Sequence, residues 1–424
     1  MKLCVSSLFA SLSLLATSAH ATTWIVDDTS GPGVDFNSIS AGMSIAASGD
    51  VFIVRAGNYG GFTLATSAVV LGETGAFVVG DIHIANNAPL GHAALVGLTV
   101  QAVYVDASSG GVLLEDVVAR PGAYALGQVA LVTIQSASDV RLRNVDVDGI
   151  DRGIAGLAIT SSRVEVAGCR FVGGGGRSHH VVNFSAAPEK GGDGIVVNSG
   201  SDLHVSRTDA RGGSGGNLPA VNVCGCLIAA NGGSGIRVGA SANMLLTGTS
   251  ASLVKGGTAG LGFDCPYDGL PGNGIVIHAN GAARLSGIAV AGEAPRSACG
   301  GSPVLSIIGP HNIPSPADPT LSVSGPLTPG SLATYMVTGQ PGATAKLDFG
   351  RVLAIADVAF VVEDRLTISI RSFSLGVIPP SGQVSLTIIL PSYLPRGFLA
   401  NAQAETSSIA VGISLSPSAP ITLR

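Results

Sequence analysis

The sequence predicts an all-β protein, a parallel β-helix solenoid with an N-terminal capping helix and a small C-terminal β-sandwich-like module. Three observations lead to this prediction. Charged residues make up only 12% of the 424 residues and glycine supplies 60 positions, which is typical of many short strands and tight turns. One short pattern of alternating apolar residues recurs through most of the chain. Beyond a proline-rich stretch, separate strand-like runs divided by turns replace that pattern.

Residues 1–21 are predicted to be an export signal. Lys2 gives a positively charged end, "LFASLSLLA" is a short apolar run, and Ala19-His20-Ala21 fits a cleavage site of small residues. We therefore expect a mature protein that begins near Thr22 and is secreted or held at the cell surface. The apolar run is too short to span a bilayer, and no membrane span is predicted elsewhere.

A short capping helix is predicted after the first strand. In "DFNSISAGMSIAASGD" the residues Phe36, Ile39, Met43 and Ala46 recur at near-helical spacing, and Gly49 is a stop signal. The strand "DVFIVRAG" follows. An open solenoid exposes core and strand edges at its first coil, so we expect this helix to lie across that end.

The recurring pattern predicts the coils of the solenoid. It places apolar residues at its first, third, sixth and eighth positions, which is the alternation of short strands. Most of the intervals between its copies are close to 20 residues, and each interval of 39 holds either two coils or one coil with a long loop. The copies begin at Ala93, Val112, Val140, Val164, Leu203, Val221, Met244 and Ala283, at intervals of 19, 28, 24, 39, 18, 23 and 39.

Two further features support stacked coils. The fifth position of the pattern is Gly, Asn or Asp in seven of eight copies, and these residues tolerate left-handed backbone at a bend between strands. A second apolar run, "GLAI", "GIVV", "GIRV" and "GIVI", begins at Gly156, Gly194, Gly235 and Gly274 and predicts another strand of the same coils. The fifth-position residues are Gly97, Asp116, Asn144, Gly168, Arg207, Gly225, Gly248 and Gly287.

The segment from Asp35 to Leu64, with "GDVFIVRAGNYGGFTL", resembles the opening of right-handed parallel β-helix proteins of the pectate-lyase-like superfamily. The resemblance extends to about Val290 and implies a right-handed solenoid. Relatives cleave acidic polysaccharides by β-elimination with a base and often Ca²⁺, or hydrolyse glycans with paired Asp residues. The catalytic motifs of these relatives are absent from this sequence, so no catalytic residue is carried over.

The composition shifts after about Ile308. "GPHNIPSPADP" is a proline-rich linker, and several short strand-like runs follow it. The sequence therefore predicts a β-helix over 22–307, a linker over 308–319 and a β-sandwich-like module over 320–424. This module either caps the last coil or attaches the protein to something else.

Candidate ligand-binding residues lie in and beside the two 39-residue intervals. Long loops on a rigid scaffold often carry function. Basic side chains in the first interval and on adjacent coils predict a mildly basic groove for an anionic sugar chain, although an ordinary polar loop would show the same residues. In the second interval, a tyrosine among acids and amides is placed to stack on a sugar ring. The residues are Arg170, His179, His180, Lys190, Asp193, His204, Arg207, Arg211 and Tyr267.

Five cysteines remain after the signal, so at least one is unpaired within the chain. Cys169 and Cys226 share an inward position of the pattern, which predicts reduced core residues. A disulfide between Cys265 and Cys299 is an open prediction, with Cys224 as a competing partner. No cofactor is predicted, although Asp146, Asp148 and Asp151 form either a Ca²⁺ loop or a solvated turn.

Two functions follow from these observations. The first is non-catalytic binding of an extended polysaccharide or of a cell-surface partner. The alternative is a polysaccharide lyase or another carbohydrate-active enzyme that acts on acidic glycans. The net charge is −5 and no basic tract is present, so a nucleic-acid partner is not expected.

Overall fold

The computed structural model confirms an all-β chain built from long parallel sheets and two smaller antiparallel sheets. Among the residues that it describes, no helix is long and apolar enough to cross a bilayer. The described residues are 21–86, 91–121, 129–149, 153–178, 188–218, 228–247, 252–262, 268–286, 288–294, 305–311, 319–351, 368–392, 399–408, 412–416 and 419–422.

One wall of the solenoid is a ten-stranded parallel sheet to which each coil contributes one strand. Neighbouring strands pair in register, so that Val140 lies beside Val164 and Val164 beside Leu203. The strands are Thr23–Val26, Val51–Val54, Val69–Gly72, His92–Val96, Gly111–Glu115, Val140–Arg143, Arg163–Ala167, Asp202–Ser206, Asn243–Thr247 and Ala282–Ser286.

The other walls belong to a fifteen-stranded parallel sheet. Its early strands Gly57–Leu64, Ala76–Ile84 and Thr99–Asp106 are long, and Thr99–Asp106 pairs with one strand of each of two arms. The first arm consists of Val118–Ala119, Asp146–Asp148, Arg170–Val172, Asp209–Arg211, Leu253–Lys255 and Ala289–Ala291. The second arm consists of Ala130–Gln135, Ala155–Thr160, Ile195–Val197, Ile236–Val238, Ile275–Ile277 and Ile307–Ile308.

Apart from the copy at Val221, whose Ile228 is 60% exposed, the described inward positions of the recurring pattern form one continuous core, as the sequence predicts. The predicted bends are confirmed as well. All five of these positions that the structure describes have positive φ, including the non-glycine residues Asp116 (51°), Asn144 (50°) and Arg207 (46°). The second run is also a strand of each coil, since Leu157, Ile195, Ile236 and Ile275 lie side by side along the second arm.

The coil predicted at Val221 is wrong. The strand Asp202–Ser206 pairs directly with Asn243–Thr247, with Leu203 beside Met244, so no coil of the ten-stranded sheet lies between them. Alternation of apolar residues marks a strand-like run but does not say which neighbour the run pairs with. Each interval of about 40 residues after Val164 holds one coil and a glycine-rich excursion between the two arms.

These excursions pack into a two-layer assembly, which we call the glycine bundle. Its first layer continues from the first arm and consists of 173–178, 212–218 and 256–262. Its second layer leads into the second arm and consists of 188–194, 228–235 and 268–274. The layers are joined by backbone hydrogen bonds, in which Gly213 N–H donates to Gly192 O (2.7 Å) and Gly257 N–H donates to Gly233 O (2.8 Å).

The backbone donors of the bundle repeat every three residues. In 212–218, Gly212 and Gly215 donate to the next coil, at 2.9 Å each, whereas Gly213 and Gly216 donate to the second layer. Three residues per turn without internal hydrogen bonds is the geometry of an extended polyproline II chain. Glycine is required at the inward positions because a Cβ on Gly213 would lie 2.5 Å from the carbonyl carbon of Gly174.

The predicted capping helix is present but shorter than expected, at Ile39–Met43. Its N-cap Ser38 accepts a hydrogen bond from the Ala41 N–H at 3.2 Å. Ile39 is fully buried, and Phe36, Met43 and Ala46 pack against the core of the solenoid. The helix ends before Gly49, the residue that the sequence marked as its stop signal.

The C-terminal strands form two antiparallel sheets, which confirms a β-sandwich-like module. Ala333, Tyr335 and Leu347 are fully buried between the sheets. The three-stranded sheet consists of Thr320–Ser324, Leu332–Thr338 and Gln383–Ile389. The five-stranded sheet consists of Thr344–Arg351, Ile368–Val377, Leu399–Ser408, Gly412–Leu415 and Ala419–Thr422.

Candidate functional site

Ion pairs cover the outer surface of the first arm, which we call the charged face. Asp146 accepts hydrogen bonds from Arg120 Nη2 at 2.6 Å and from Arg170 Nη1 at 2.9 Å. The second guanidinium nitrogen of Arg170 lies 3.6 Å from Asp148. These four side chains come from three successive coils and form one network.

The charged face continues along the following coils. Arg211 Nη2 pairs with Asp209 at 3.2 Å, and Lys255 Nζ pairs with Glu293 at 2.6 Å. The other Asp209 carboxylate oxygen accepts the Leu253 N–H at 2.9 Å. Most of these charged groups are between about a quarter and a half exposed, so they are accessible to a ligand.

The register of the first arm places these side chains. Successive residues of a strand point to opposite faces, so a buried middle residue leaves both of its neighbours facing outward. Val147, Phe171 and Ala210 are the buried residues of three adjacent strands. Arg170 consequently lies between Asp146 and Asp209 on adjacent coils.

The network keeps Asp146 and Arg170 ionised. Partial burial would raise the pKa of Asp146, but the hydrogen bonds and charges of Arg120 and Arg170 outweigh it and lower the pKa below its usual value. Desolvation likewise opposes the charge of Arg170, yet Asp146 and Asp148 raise its pKa. A carboxylate held in this way is a poor proton donor at neutral pH.

The outward row of the glycine bundle borders the charged face. Ser214, Asn217 and Thr258 are exposed at every third position of the first layer. Asn217 donates its N–H to Ser178 Oγ at 3.1 Å, and its side-chain oxygen accepts the Leu261 N–H at 2.7 Å. The row therefore presents small uncharged polar groups at a fixed spacing.

Lys190 and Asp193 lie in the second layer of the glycine bundle, away from the charged face. Asp193 is 2% exposed and accepts the Ser234 N–H at 2.7 Å. It is also paired with Arg237 and, at 3.6 Å, with Lys190. Its buried carboxylate ties the bundle to the strand Ile236–Val238.

His204 faces outward from the ten-stranded sheet, but it is buried there. Burial lowers the pKa of His204 to about 4, and the positive charge of Arg163 adds to the shift, so the ring is neutral at pH 7. Other outer-face side chains of this sheet are also withdrawn from solvent. The Glu115 side chain is 1% exposed, and its Oε1 lies 3.4 Å from Arg143 Nη1.

Arg207 lies at the left-handed bend between the ten-stranded sheet and the first arm. Burial lowers its pKa, and the positive charge of Arg143 acts in the same direction. The guanidinium Nε is buried and has no hydrogen-bond partner among the described residues. Arg207 lies at this bend and His204 on the ten-stranded sheet, so neither belongs to the charged face.

The predicted ligand residues do not share one groove. Arg170 and Arg211 lie together on the charged face, Lys190 and Asp193 pair in the glycine bundle, His204 is buried on the ten-stranded sheet, and Arg207 lies half-buried at a bend. The remaining predicted ligand residues and the predicted disulfide lie outside the described residues, as does the third carboxylate of the Ca²⁺ prediction. These are His179, His180, Tyr267, Cys265, Cys299 and Asp151.

The sequence reasoning missed Arg120, Lys255 and Glu293 on the charged face and Arg237 beside Asp193. The sequence held a signal for Lys255, because Lys255 directly precedes a glycine run, as Arg211 does. Within the described ranges, no three His, Cys, Asp or Glu side chains are grouped so as to hold a metal ion. Cys169 is a free, buried thiol, as the sequence predicts.

Comparison of the chain with models of known protein families gives no match, and comparison with curated proteins gives none either.

Proposed function

We propose that this is an exported, non-catalytic binding protein whose charged face holds an extended polysaccharide. The ladder of exposed ion pairs along the first arm carries the proposal. It presents guanidinium and carboxylate groups at the strand spacing of about 4.8 Å. The resemblance of the sequence to pectate-lyase-like β-helix proteins supports a polysaccharide ligand.

The chemistry of the charged face suits sugar hydroxyl groups. A hydroxyl donates one hydrogen bond and accepts others. Next to Arg170 it can accept from the guanidinium, and next to Asp209 it can donate to the carboxylate. Because the strands are held in register by the parallel sheet, these donors and acceptors keep a fixed spacing that a regular polymer can match.

The electrostatics favour binding over catalysis. A general acid needs a pKa near the working pH, which usually requires a carboxyl group freed from cationic partners. Asp146 is held by two arginines that lower its pKa. The charged face therefore supplies fixed hydrogen-bonding groups and no poised proton donor at this position.

The test compares two variants of the full mature chain. Arg170→Ala combined with Arg211→Ala removes two donors from the charged face. Arg163→Ala removes a similarly exposed arginine from the ten-stranded sheet, where it pairs with Asp202 at 3.4 Å. Binding is measured by affinity electrophoresis in gels that contain single polysaccharides, with circular dichroism as the control for folding.

We expect the double variant to bind about tenfold or more weakly, since two charge-assisted hydrogen bonds are lost. Arg163→Ala should bind within about twofold of the parent protein, because exposed pairs contribute little to stability. Equal losses in both variants, or none in the double variant, would reject the charged face as the binding site. Export is tested separately by the mass of the secreted chain, which should begin near Thr22.

A further inference from the structure

The charge balance of the charged face indicates the class of its ligand. We infer that the face takes an uncharged polysaccharide lying along the solenoid axis, an inference that rests on the proposed function. The described part of this face carries four cations and four carboxylates. The cations are Arg120, Arg170, Arg211 and Lys255, and the carboxylates are Asp146, Asp148, Asp209 and Glu293.

Each of these cations is already neutralised. The distances from each cation to its nearest carboxylate oxygen lie between 2.6 and 3.2 Å. An acidic polymer would have to displace these carboxylates or lie beside them, and like charges in contact are unfavourable. An uncharged chain neither displaces the carboxylates nor brings like charges into contact, because its hydroxyl groups can bridge an ion pair without separating it.

The glycine bundle extends the same surface with uncharged groups. Arg211 is followed directly by Gly212, and Lys255 by Gly256, so the outward row of the first layer adjoins the charged face. The row carries the hydroxyl groups of Ser214 and Thr258, and its neighbouring inward positions are glycines. A polymer on the charged face can therefore rest one flank on this row.

The dimensions fit a chain along the axis. The first arm has six strands, which at about 4.8 Å each give a surface roughly 24 Å long. Most of the ion pairs connect successive coils, whereas Arg211 and Asp209 pair within one strand, so donors and acceptors alternate mainly along this direction. A polymer laid across the coils would meet only one or two ion pairs.

The first experiment measures binding of the full mature chain to neutral and acidic polysaccharides. Xylan, galactomannan and β-1,3-glucan form the neutral set, and polygalacturonate and alginate form the acidic set. Each is tested at low and at high sodium chloride. We expect at least one neutral polymer to bind about tenfold or more tightly than either acidic one, with less than about a threefold change on adding salt.

Preference for an acidic polymer, with binding that falls steeply in salt, would overturn this inference. If that binding is still lost in the Arg170→Ala and Arg211→Ala double variant, the proposed function stands. Binding of none of the five polymers would contradict the inference and the proposed function together.

A second experiment removes the negative charge of two carboxylates on the charged face. Asp148→Asn combined with Asp209→Asn leaves the charged face net positive while conserving side-chain size. This variant should bind the neutral polymer more weakly and should gain salt-sensitive binding to polygalacturonate. Asp202→Asn, on the ten-stranded sheet, is the matched control and should change neither. An unchanged preference in the double variant would show that the carboxylates do not select the ligand.

The glycine bundle is tested with Ser214→Ala combined with Thr258→Ala. Both side chains are exposed, so the fold should tolerate the loss. We expect about threefold or more loss of affinity for the same neutral polymer. Full affinity in this variant would restrict the binding surface to the first arm and overturn the flanking contact.

Discussion

Replacing Gly213 by alanine tests the glycine bundle at its centre. The new Cβ would lie 2.5 Å from the carbonyl carbon of Gly174 and 2.6 Å from the oxygen of Gly173, and closer still to the oxygen of Gly174. All three are backbone atoms, so no flexible side chain can move aside. The segment 212–218 must therefore shift away from 173–178.

The cost of this shift follows from the hydrogen bonds between the two segments. Gly173 N–H donates to Arg211 O at 2.9 Å, and Gly176 N–H donates to Ser214 O at 2.7 Å. Each lost bond costs about 1 kcal/mol or more, and overpacking adds about 1–3 kcal/mol. Alanine restricts the unfolded chain, which returns about 0.4–1 kcal/mol. We expect a net loss of about 3 kcal/mol.

The assay is urea unfolding followed by circular dichroism, together with amide hydrogen exchange of the segments on both sides of Gly213. Gly60→Ala is the matched control, because Gly60 is exposed and a Cβ there has no described atom within 4 Å. It should be neutral or slightly stabilising. Ser214→Ala, one residue away but outward-facing, should change stability by less than about 0.5 kcal/mol.

The reasoning would be refuted by a Gly213→Ala protein that is as stable as Gly60→Ala with unchanged exchange at Gly176. The close approach of the segments would then not be a feature of the folded chain. A loss confined to exchange in the bundle, with the coils still protected, would instead show that the bundle opens as a unit of its own.

Three other predictions concern buried polar groups. The folded pKa of His204, about 4, lies below its ordinary value of about 6.5, so stability is full above pH 6.5 and falls as the pH drops toward 4. The parent protein should therefore lose about 2 kcal/mol more than His204→Gln between pH 7 and pH 5 in urea unfolding. Asp193→Ala leaves the Ser234 N–H unpaired and should cost about 2–3 kcal/mol in the same assay, against less than 1 kcal/mol for Asp202→Ala. Burial raises the pKa of Cys169 to about 12, so mass spectrometry should find it unalkylated by iodoacetamide at pH 8 until urea unfolds the chain.

The sequence predicted the structure best where a residue type has a single physical consequence, such as burial of an apolar side chain or a left-handed bend. The alternation at Val140, Val164 and Leu203 predicts buried side chains whichever strands they pair with, and all three are in the core. Asn144 predicts a left-handed bend from its backbone preference alone, and its φ is 50°. Pairing partners depend on contacts distant in sequence, which is why the run at Val221 was misassigned.

The candidate site was less predictable, because most of its ion pairs also depend on which strands lie side by side. The coil pattern places Arg170 and Arg211 outward, which makes them candidates for ligand binding. The pattern marks positions as outward but does not say which of them form ion pairs: Arg170 pairs with Asp146 on the neighbouring coil, whereas Arg211 pairs with Asp209 on its own strand. The pattern predicts an accessible His204, since an outward position does not reveal that the side chains on that face of the sheet are themselves buried. Arg120 directly follows the two-residue strand Val118–Ala119, which is too short to carry a periodic signal.

The glycine bundle lies outside the strand pairing that holds the coils together. Its segments 212–218 and 228–235 come between Leu203 and Met244 in the sequence, yet these two residues are direct neighbours in the ten-stranded sheet. Exposed residues of these segments, such as Ser214 and Asn217, can therefore be replaced without changing how the coils stack.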